Sequence, residues 1–354
     1  MTAGAERSWP DLLSRVIARE DLSADETAWA MDQVMTDRTT PEVLAGFLVG
    51  LATKGETVAE VRGLADAMLT HSVPVDVDGS DAVDVVGTGG DRLHTVNIST
   101  MASLVVAGAG VGVVKHGNRA SSSSSGSADV LEALGVDLNL PVDGVARVYR
   151  EVGITFCFAT VFHPSMRFAG PTRRELAVAT VFNILGPLTN PARTRAGAIG
   201  VARASAAPLV AGVLAARGAS ALVFRGRNGL DELSATAVNG VWEVRDGQIH
   251  EHTIDAVAEL GLAPATVGDL RGHDAGHNAD VARRLLAGER GPVREAVLLN
   301  AAAALVAHGR LPGTGPDSGD LLTRLRAALE HAARAVDSGA AAGVLDRWVQ
   351  ATRG

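Results

Sequence analysis

Residues 84 to 135 read DVVGTGGDRLHTVNISTMASLVVAGAGVGVVKHGNRASSSSSGSADVLEALG, and two stretches within them carry groups suited to holding anions. Gly87-Thr88-Gly89-Gly90-Asp91 follows the apolar, β-branched run of Val83, Val85 and Val86. Glycines at such a turn let backbone amides approach a ligand closely and adopt positive φ. Asn97, Ser99 and Thr100, all good N-cap types, then open an apolar helix through Met101, Leu104 and Val105. A glycine loop feeding a helix N-terminus offers unpaired N–H groups and the positive end of the helix dipole to an anion. The pattern then repeats. Val111, Val113 and Val114 predict a second strand ending in Lys115-His116-Gly117-Asn118-Arg119, and a serine run from 121 to 125 leads through Gly126 and Ser127 into a helix over 129–134. Lys115 and Arg119 bring positive charge, and the hydroxyls bring neutral donors. Alone, GTGGD reads as a tight turn and the serines as a flexible linker. On successive strand-to-helix loops, at the carboxyl ends of neighbouring strands where open α/β sheets bind ligands, they predict a site for a ligand bearing more than one phosphate.

Further along, Gly226–Gly229 leads to Asp231-Glu232-Leu233-Ser234. Adjacent carboxylates are often plain surface charge. Beside a polyphosphate they become candidate magnesium ligands, because Mg²⁺ prefers carboxylate and shared phosphate oxygens. The segment His163–Arg167, then Pro171-Thr172-Arg173-Arg174, then Val181 to Pro191 (VFNILGPLTNP), has helical spacing from Arg173 to Phe182, with a break at Gly186-Pro187. Paired arginines on a helix more often form a solvated or salt-bridged face than a binding site.

The elements that must position these groups are also legible. Residues 1–71 read as helices: Leu12, Leu13, Val16 and Ile17 recur at helical spacing, Ser23 with Glu26 and Thr57 with Glu60 are capping boxes, and Thr40-Pro41 opens a helix that Gly55 is suited to stop. Residues 72–79 are a turn-rich linker. A helix through Val145 and Tyr149, strands at 154–159, 198–201 and 221–224, a helix over 207–217 and a hairpin at Asp246-Gly247 follow. The last hundred residues read as alanine-rich helices flanking the sheet, without an evident catalytic constellation.

Composition narrows the function. Of 354 residues, 47% are hydrophobic, ample for a core, and the net charge of −8 argues against nucleic acid as a partner. No apolar run reaches the roughly 18 residues of a membrane span. MTAGAERSWPD lacks the apolar region of a secretory signal, and the lone Cys157 permits no intrachain disulfide and no thiolate metal site. A cytoplasmic protein is expected.

GTGGD, NIST and KHGNRA followed by SS, SGSAD and LEALG resemble the anthranilate phosphoribosyltransferases, and the resemblance extends over nearly the whole chain. Neither the Rossmann G-x-G-x-x-G nor the Walker G-x-x-x-x-G-K-[ST] occurs. The resemblance implies an α/β fold. A small helical domain, residues 1–71 with a mid-chain segment about 164–186, packs on a larger α/β domain, 72–163 and about 187–354, whose central, mostly parallel sheet is flanked by helices. It implies transfer of the 5-phosphoribosyl group from 5-phosphoribosyl-1-diphosphate to the amine of anthranilate, a step of tryptophan biosynthesis, with Mg²⁺. By position, Gly87, Gly89, Gly90, Asp91, Thr95, Asn97, Ser99, Thr100, Lys115 and Ser127 would bind the phosphoribosyl diphosphate. Gly87, His116, Asn118, Ala159, Met166, Arg173 and Gly186 would bind anthranilate, with Arg173 facing its carboxylate. Ser99, Asp231 and Glu232 would hold magnesium, and no residue is implied as a general acid or base. A homodimer through the helical domain is expected. Arg92, Ser124, Ala179, Arg225 and Asn228 depart from the commoner pattern.

Two other readings compete. Pyrimidine nucleoside phosphorylases share the helical-plus-α/β plan and cradle phosphate in glycine-serine loops, but their signature around the lysine differs from KHGNR. A non-catalytic paralogue binding a ligand or nucleic acid would be expected to lose the Asp231-Glu232 pair or Arg173 and to gain a basic face.

Overall fold

The structure, a computed structural model, describes residues 7–120 and 124–353. Ser121, Ser122 and Ser123 of the serine run and the first six residues of the N-terminal stretch lie outside the described residues. Four helices come first: α1 (Trp9–Ile17), α2 (Ala24–Met35), α3 (Pro41–Lys54) and α4 (Val58–Thr70). Ser23–Glu26 and Thr57–Glu60 form reciprocal capping boxes, Thr40 caps α3 ahead of Pro41, and Gly55 ends α3 at φ 90°. These are the start and stop signals the sequence carries.

An alternating series follows: β1 (Ala82–Gly87), α5 (Ile98–Gly108), β2 (Gly112–Gly117), α6 (Ser127–Leu134), α7 (Val142–Val152) and β3 (Ile154–Phe158). Three short helices, α8 (Ala159–Phe162), α9 (Gly170–Leu176) and α10 (Phe182–Leu185), precede β4 (Ala196–Gly200), α11 (Ala206–Ala216), β5 (Ser220–Gly226), β6 (Asn239–Arg245) and β7 (Gln248–Ile254). Then come α12 (Ala256–Leu260), α13 (Ala275–Leu286), α14 (Pro292–His308), α15 (Leu321–Asp337) and α16 (Ala340–Arg353). Among the described residues no helix is long and apolar enough to cross a membrane.

The strands form one sheet in the order β3-β2-β1-β4-β5-β6-β7. The first five of that order run parallel, and β6 and β7 add antiparallel through a turn at Asp246 and Gly247, φ 51° and 72°. Positive φ at both central residues is what a two-residue hairpin turn requires. The strand order reverses direction between β1 and β4, the topological switch point at whose carboxyl edge such sheets open a crevice.

Strand alternation divides the core. Val83 and Val85 of β1, Val113 of β2 and Ala198 of β4 face a cluster shared with α5, α13, α14, α15 and α16. On the other face, Ile199, Ala221 and Val223 share a cluster with α11, with α1–α4 and with Ala169, Val181, Phe182 and Leu185 of the mid-chain segment. Helical spacing runs from Arg173 to Phe182, and the structure interrupts it: α9 ends at Leu176, Ala177 follows at φ 50°, and α10 begins at Phe182. Val178 in the gap is 59% exposed, whereas Val181 and Phe182 are buried, so the break lets the chain leave the surface and re-enter the core at a new angle.

One ion pair is buried beneath the antiparallel end of the sheet. Arg324 of α15 donates from both terminal nitrogens to the two carboxylate oxygens of Glu243 in β6, at 2.8 and 2.9 Å. Burial alone would raise the Glu243 carboxyl, but the Arg324 hydrogen bonds and charge, with Arg245 and His252, outweigh it and hold it below the usual range. The pair's contribution is therefore complete above the unfolded glutamate pKa of about 4.3 and is lost as pH falls through the folded value. Arg324→Met, which leaves the buried carboxylate only the longer contacts to Arg245 and His252 at 3.6 and 3.3 Å, is expected to cost about 3 kcal/mol at neutral pH in denaturant titration, and the double variant with Glu243→Leu considerably less. Equal losses in the single and double variants would contradict this account of the pair.

Candidate active site

At the carboxyl edge of β1 the chain turns through Gly89 and Gly90 at φ 66° and 86°, values that favour glycine. Gly87 has another reason to lack a side chain: a Cβ there would lie 2.6 Å from the Asp231 carboxylate. That closeness is used. The Gly89 N–H donates to Asp231 Oδ2 at 2.7 Å, the Thr88 N–H donates to the Gly200 carbonyl at 2.9 Å, and the Thr88 hydroxyl accepts from the Ala202 N–H at 3.1 Å. The glycine turn is thus stitched to the ends of β4 and of the loop after β5.

Under this turn lies a buried charge system. Lys115, 2% exposed at the end of β2, donates to the Val85 carbonyl and, at 3.3 Å, to the Ser99 hydroxyl. Three buried acids face the same region. Asp84 accepts from the His116 N–H at 3.2 Å and from the Asn190 amide at 2.8 Å, yet burial pushes its carboxyl up to about 6 despite the Lys115 charge. Burial and the neighbouring Asp91 push Asp231 up to about 7. Glu232 is raised well above its ordinary value by burial and by Asp231, against the Lys115 charge and a hydrogen bond from the Ser99 backbone. The Lys115 ammonium is itself held below its ordinary value by burial, although Asp84 and Glu232 oppose this.

The second loop is organised by Asp129, whose carboxylate accepts from the N–H groups of Ala120 and Gly126 at 2.9 and 2.8 Å. Arg119, expected to supply charge to a phosphate, is instead engaged by Asp129 and Glu132 at 3.0 and 2.5 Å, which raise its pKa further. Asn97 is also a partial departure. It occupies the N-cap position of α5 but makes no cap bond with its side chain. Its amide donates to the Ser125 carbonyl at 3.1 Å and its oxygen accepts from Asn278 at 2.8 Å, so it joins both phosphate-type loops to α13. The Ser127 hydroxyl donates to the Asn118 carbonyl at 3.3 Å, and the buried Thr100 hydroxyl has no partner among the described residues.

The facing wall comes from α8–α10. His116 Nδ1 lies 3.1 Å from the Gly186 carbonyl and so carries the proton, leaving Nε2 as a buried acceptor without a partner among the described residues. Burial, the adjacent His163 ring 5.1 Å away and Lys115 lower its pKa to about 3, against the Gly186 bond, so the ring is neutral. Arg173 lies over the Phe182 ring at 5.1 Å, and burial lowers its pKa. No described acid pairs with it. Ala159, Met166 and Gly186 complete this wall. Both walls bound one cleft of ≈ 900 Å³, and every candidate binding residue, from Gly87, Gly90, Asp91 and Thr95 to Asp231 and Glu232, lies on it, whereas Ser124, Ala179, Arg225 and Asn228 do not.

What the sequence did not disclose is how the site is held. Asn300 of α14, fully buried, accepts from the Leu233 N–H at 3.1 Å and donates to the Leu233 carbonyl at 2.8 Å, immediately after the acid pair. Asn239 holds the next residue, accepting from the Ser234 N–H at 3.2 Å and donating to its carbonyl at 2.9 Å. With Asn190 and Asn278 these buried amides fix the loops, so the C-terminal helices position the site although none of their residues lines the cleft. A single asparagine in an alanine-rich helix was the only available signal.

Ser99, Asp231 and Glu232 make a donor set for a hard cation. Two adjacent buried carboxyls with raised pKa values, of which Lys115 faces only Glu232, leave charge to be neutralised on ionisation, while among the described residues no group of three or more acid, histidine or cysteine side chains forms a protein-only cage. That is the pattern expected of Mg²⁺, which keeps waters and shares phosphate oxygens.

Residues 79–342 match the family described as glycosyl transferase, a/b domain, and residues 10–72 the glycosyl transferase helical bundle domain. An anthranilate phosphoribosyltransferase of Arthrobacter sp. is 60% identical over 350 residues, covering 99% of this chain and 97% of that protein. One from Salinispora arenicola is 57% identical, covering 98% and 97%. The crystal structure of anthranilate phosphoribosyltransferase from Thermus thermophilus, 41% identical, superposes with a TM-score of 0.88 over 97% of this chain and 100% of that one. At 24% identity the Saccharomyces cerevisiae protein, in complex with PRPP and Mg, shares the fold with a TM-score of 0.85 over 99% of both chains.

Because burial raises Asp231 and Glu232, the folded chain retains protons that the unfolded chain has released. The stability this contributes is complete below the unfolded carboxyl pKa of about 4 and is lost as pH rises through the folded values, near 7 for Asp231. Asp231→Asn keeps an oxygen for the Gly89 N–H and removes this dependence. It is expected to be more stable than the wild type at pH 8 by on the order of 1–3 kcal/mol, the gap closing toward pH 4. A gap independent of pH in thermal unfolding would contradict the assignment.

Proposed function

The chain belongs to the anthranilate phosphoribosyltransferases of the glycosyl transferase family, and we propose how its own residues carry out that reaction. The anthranilate amine attacks C1 of 5-phosphoribosyl-1-diphosphate, the C1–O bond to diphosphate breaks with its electron pair, and the amine loses a proton to give N-(5-phosphoribosyl)anthranilate. The carrying observation is that the anion-type glycine turn, the buried acid pair and the acid-free Arg173 all bound the same cleft.

Departure of a highly charged group leaves oxocarbenium character at C1, so the protein's work is mainly positioning and charge stabilisation. The Gly90 amide, the N-terminus of α5 with Ser99 and Thr100, and Lys115 hold the diphosphate, while Gly89, its N–H given to Asp231, fixes the turn; Thr95, Asn97 and Ser127 orient the ribosyl phosphate. Ser99, Asp231 and Glu232 hold Mg²⁺, which when bound neutralises the diphosphate and makes it a better leaving group. On the other wall Arg173 pairs with the anthranilate carboxylate through its planar fork. The neutral His116, with its proton fixed on Nδ1, accepts an amine N–H at Nε2, and Asn118, Ala159, Met166 and Gly186 fit the ring. With a pKa of about 3, His116 is a weak base, so the proton leaves to diphosphate or water.

Residues 1–71 and about 164–186 act as one helical unit, since Val181 and Phe182 pack in one apolar cluster with α1–α4, and that cluster continues onto Ile199, Ala221 and Val223 of the sheet. Ile17 and Val49, on α1 and α3, are 80% and 43% exposed, and a homodimer through this face would cover them. The net charge of −8 fits small anionic substrates held in a locally basic cleft rather than nucleic acid, and a cytoplasmic location.

Anthranilate fluorescence followed with 5-phosphoribosyl-1-diphosphate and magnesium tests the reaction: loss requiring all three components supports it, and phosphate-dependent cleavage of thymidine or uridine instead would assign a phosphorylase. Arg173→Ala is expected to raise KM for anthranilate at least tenfold while moving that for the phosphoribosyl diphosphate less than twofold, the loss of a charge-assisted pair being worth roughly 1.5–3 kcal/mol. Comparable increases for both substrates would remove Arg173 from the carboxylate. Sedimentation at micromolar concentration is expected to give a dimer that Ile17→Lys dissociates; a monomeric wild type would contradict the interface.

A further inference from the structure

Arg92 follows directly on the glycine turn and lines the cleft, yet no role has been given to it above. Its backbone is left-handed, φ 61°, as is that of His94, φ 53°. A side chain at such φ is disfavoured by contact between Cβ and the backbone, and glycine is the residue that escapes it. Between the two, Leu93 packs against the core cluster of α5 and α14, and its N–H donates to Asp91 Oδ1 at 3.1 Å. The chain therefore alternates, sending Leu93 inward and Arg92 and His94 to the cleft wall, where His94 Nδ1 is buried without a partner among the described residues.

Several cations near the turn have partners. Lys115 is bound to Val85 and Ser99, Arg119 to Asp129 and Glu132, Arg203 to Glu56 and Arg225 to the Ala202 carbonyl. The exposed Arg92 guanidinium makes no hydrogen bond or ion pair among the described residues. A flexible cation on a backbone that suits glycine, with no internal contact to offset the strain, is placed to meet a ligand. The same wall carries Asp91, Asp231 and Glu232, which repel a polyphosphate unless positive charge is added, and a guanidinium fork matches phosphate oxygens bidentately.

We propose that Arg92 is a further binding residue of the cleft, donating to phosphate oxygens of the phosphoribosyl diphosphate and setting its affinity. The inference rests on the reading of function given above. Arg92→Gly removes the side chain and relieves the left-handed backbone, so its thermal midpoint is expected to match or exceed that of the wild type. Its KM for 5-phosphoribosyl-1-diphosphate is expected to rise about tenfold, equivalent to ~1.4 kcal/mol, with KM for anthranilate changed less than twofold and Arg92→Lys recovering part of the loss. Calorimetric titration with magnesium diphosphate alone, on both proteins, should show the same weakening without any need for turnover. Wild-type diphosphate affinity in Arg92→Gly would overturn the proposal. A wild-type protein that binds diphosphate, loses affinity in Arg92→Gly and yet does not consume anthranilate would sustain Arg92 and overturn the reaction instead.

Discussion

The site depends on a shortage of positive charge in its buried centre. One buried ammonium, Lys115, faces the buried Asp84 and Glu232, and Asp231 lies beside Glu232, also buried. Charges taken out of water must be paired or neutralised, and one cation cannot satisfy three carboxylates. The centre meets the constraint without ligand by retaining protons, Asp84 up to about 6 and Asp231 up to about 7. With a divalent cation and its diphosphate present, the same acids can ionise. The crowding that makes these acids costly to charge is also what would suit Asp231 and Glu232 to a cation.

Holding like charges together needs a stiff frame, and the frame is made of backbone and amides. The parallel strands deliver Asp84, Lys115 and the glycine turn to one edge at the switch point between β1 and β4. Asn190 then links Asp84 to the Val114 carbonyl, Asn300 and Asn239 grip the two residues after Asp231-Glu232, and Asn278 grips Asn97. Each amide both donates and accepts, so each fixes a loop whose own backbone groups no strand could satisfy. The opposing wall, from Arg173 to Gly186, is carried by a segment whose apolar residues are shared with α1–α4, so the two walls of the cleft come from different parts of the chain.

Much of this was legible in the chain because the relevant signals are local. Capping boxes at Ser23 and Thr57, the Asp246-Gly247 hairpin and the β-branched runs before each polar loop specify their elements with short-range chemistry. The loops themselves were visible because glycine and serine stand where an anion needs backbone amides. Three features were not legible, each for a long-range reason. Arg119 looks free in sequence, but Asp129 and Glu132 on the next helix capture it. The stretch from Arg173 to Phe182 has helical spacing, but packing breaks it at Ala177. The anchoring asparagines are single polar residues in apolar helices, and only the fold shows that Asn300 and Asn278 reach loops 67 and 181 residues away.

The coupling between buried acids and bound cation is best tested by proton counting. Calorimetric binding of magnesium phosphoribosyl diphosphate at pH 6.5, in buffers of different ionisation enthalpy, gives the number of protons exchanged. The charge shortage predicts that the wild type releases roughly three-quarters of a proton more than Asp231→Asn, as the raised Asp231 carboxyl ionises on binding. Identical proton release by the two proteins, with both binding the ligand, would contradict it.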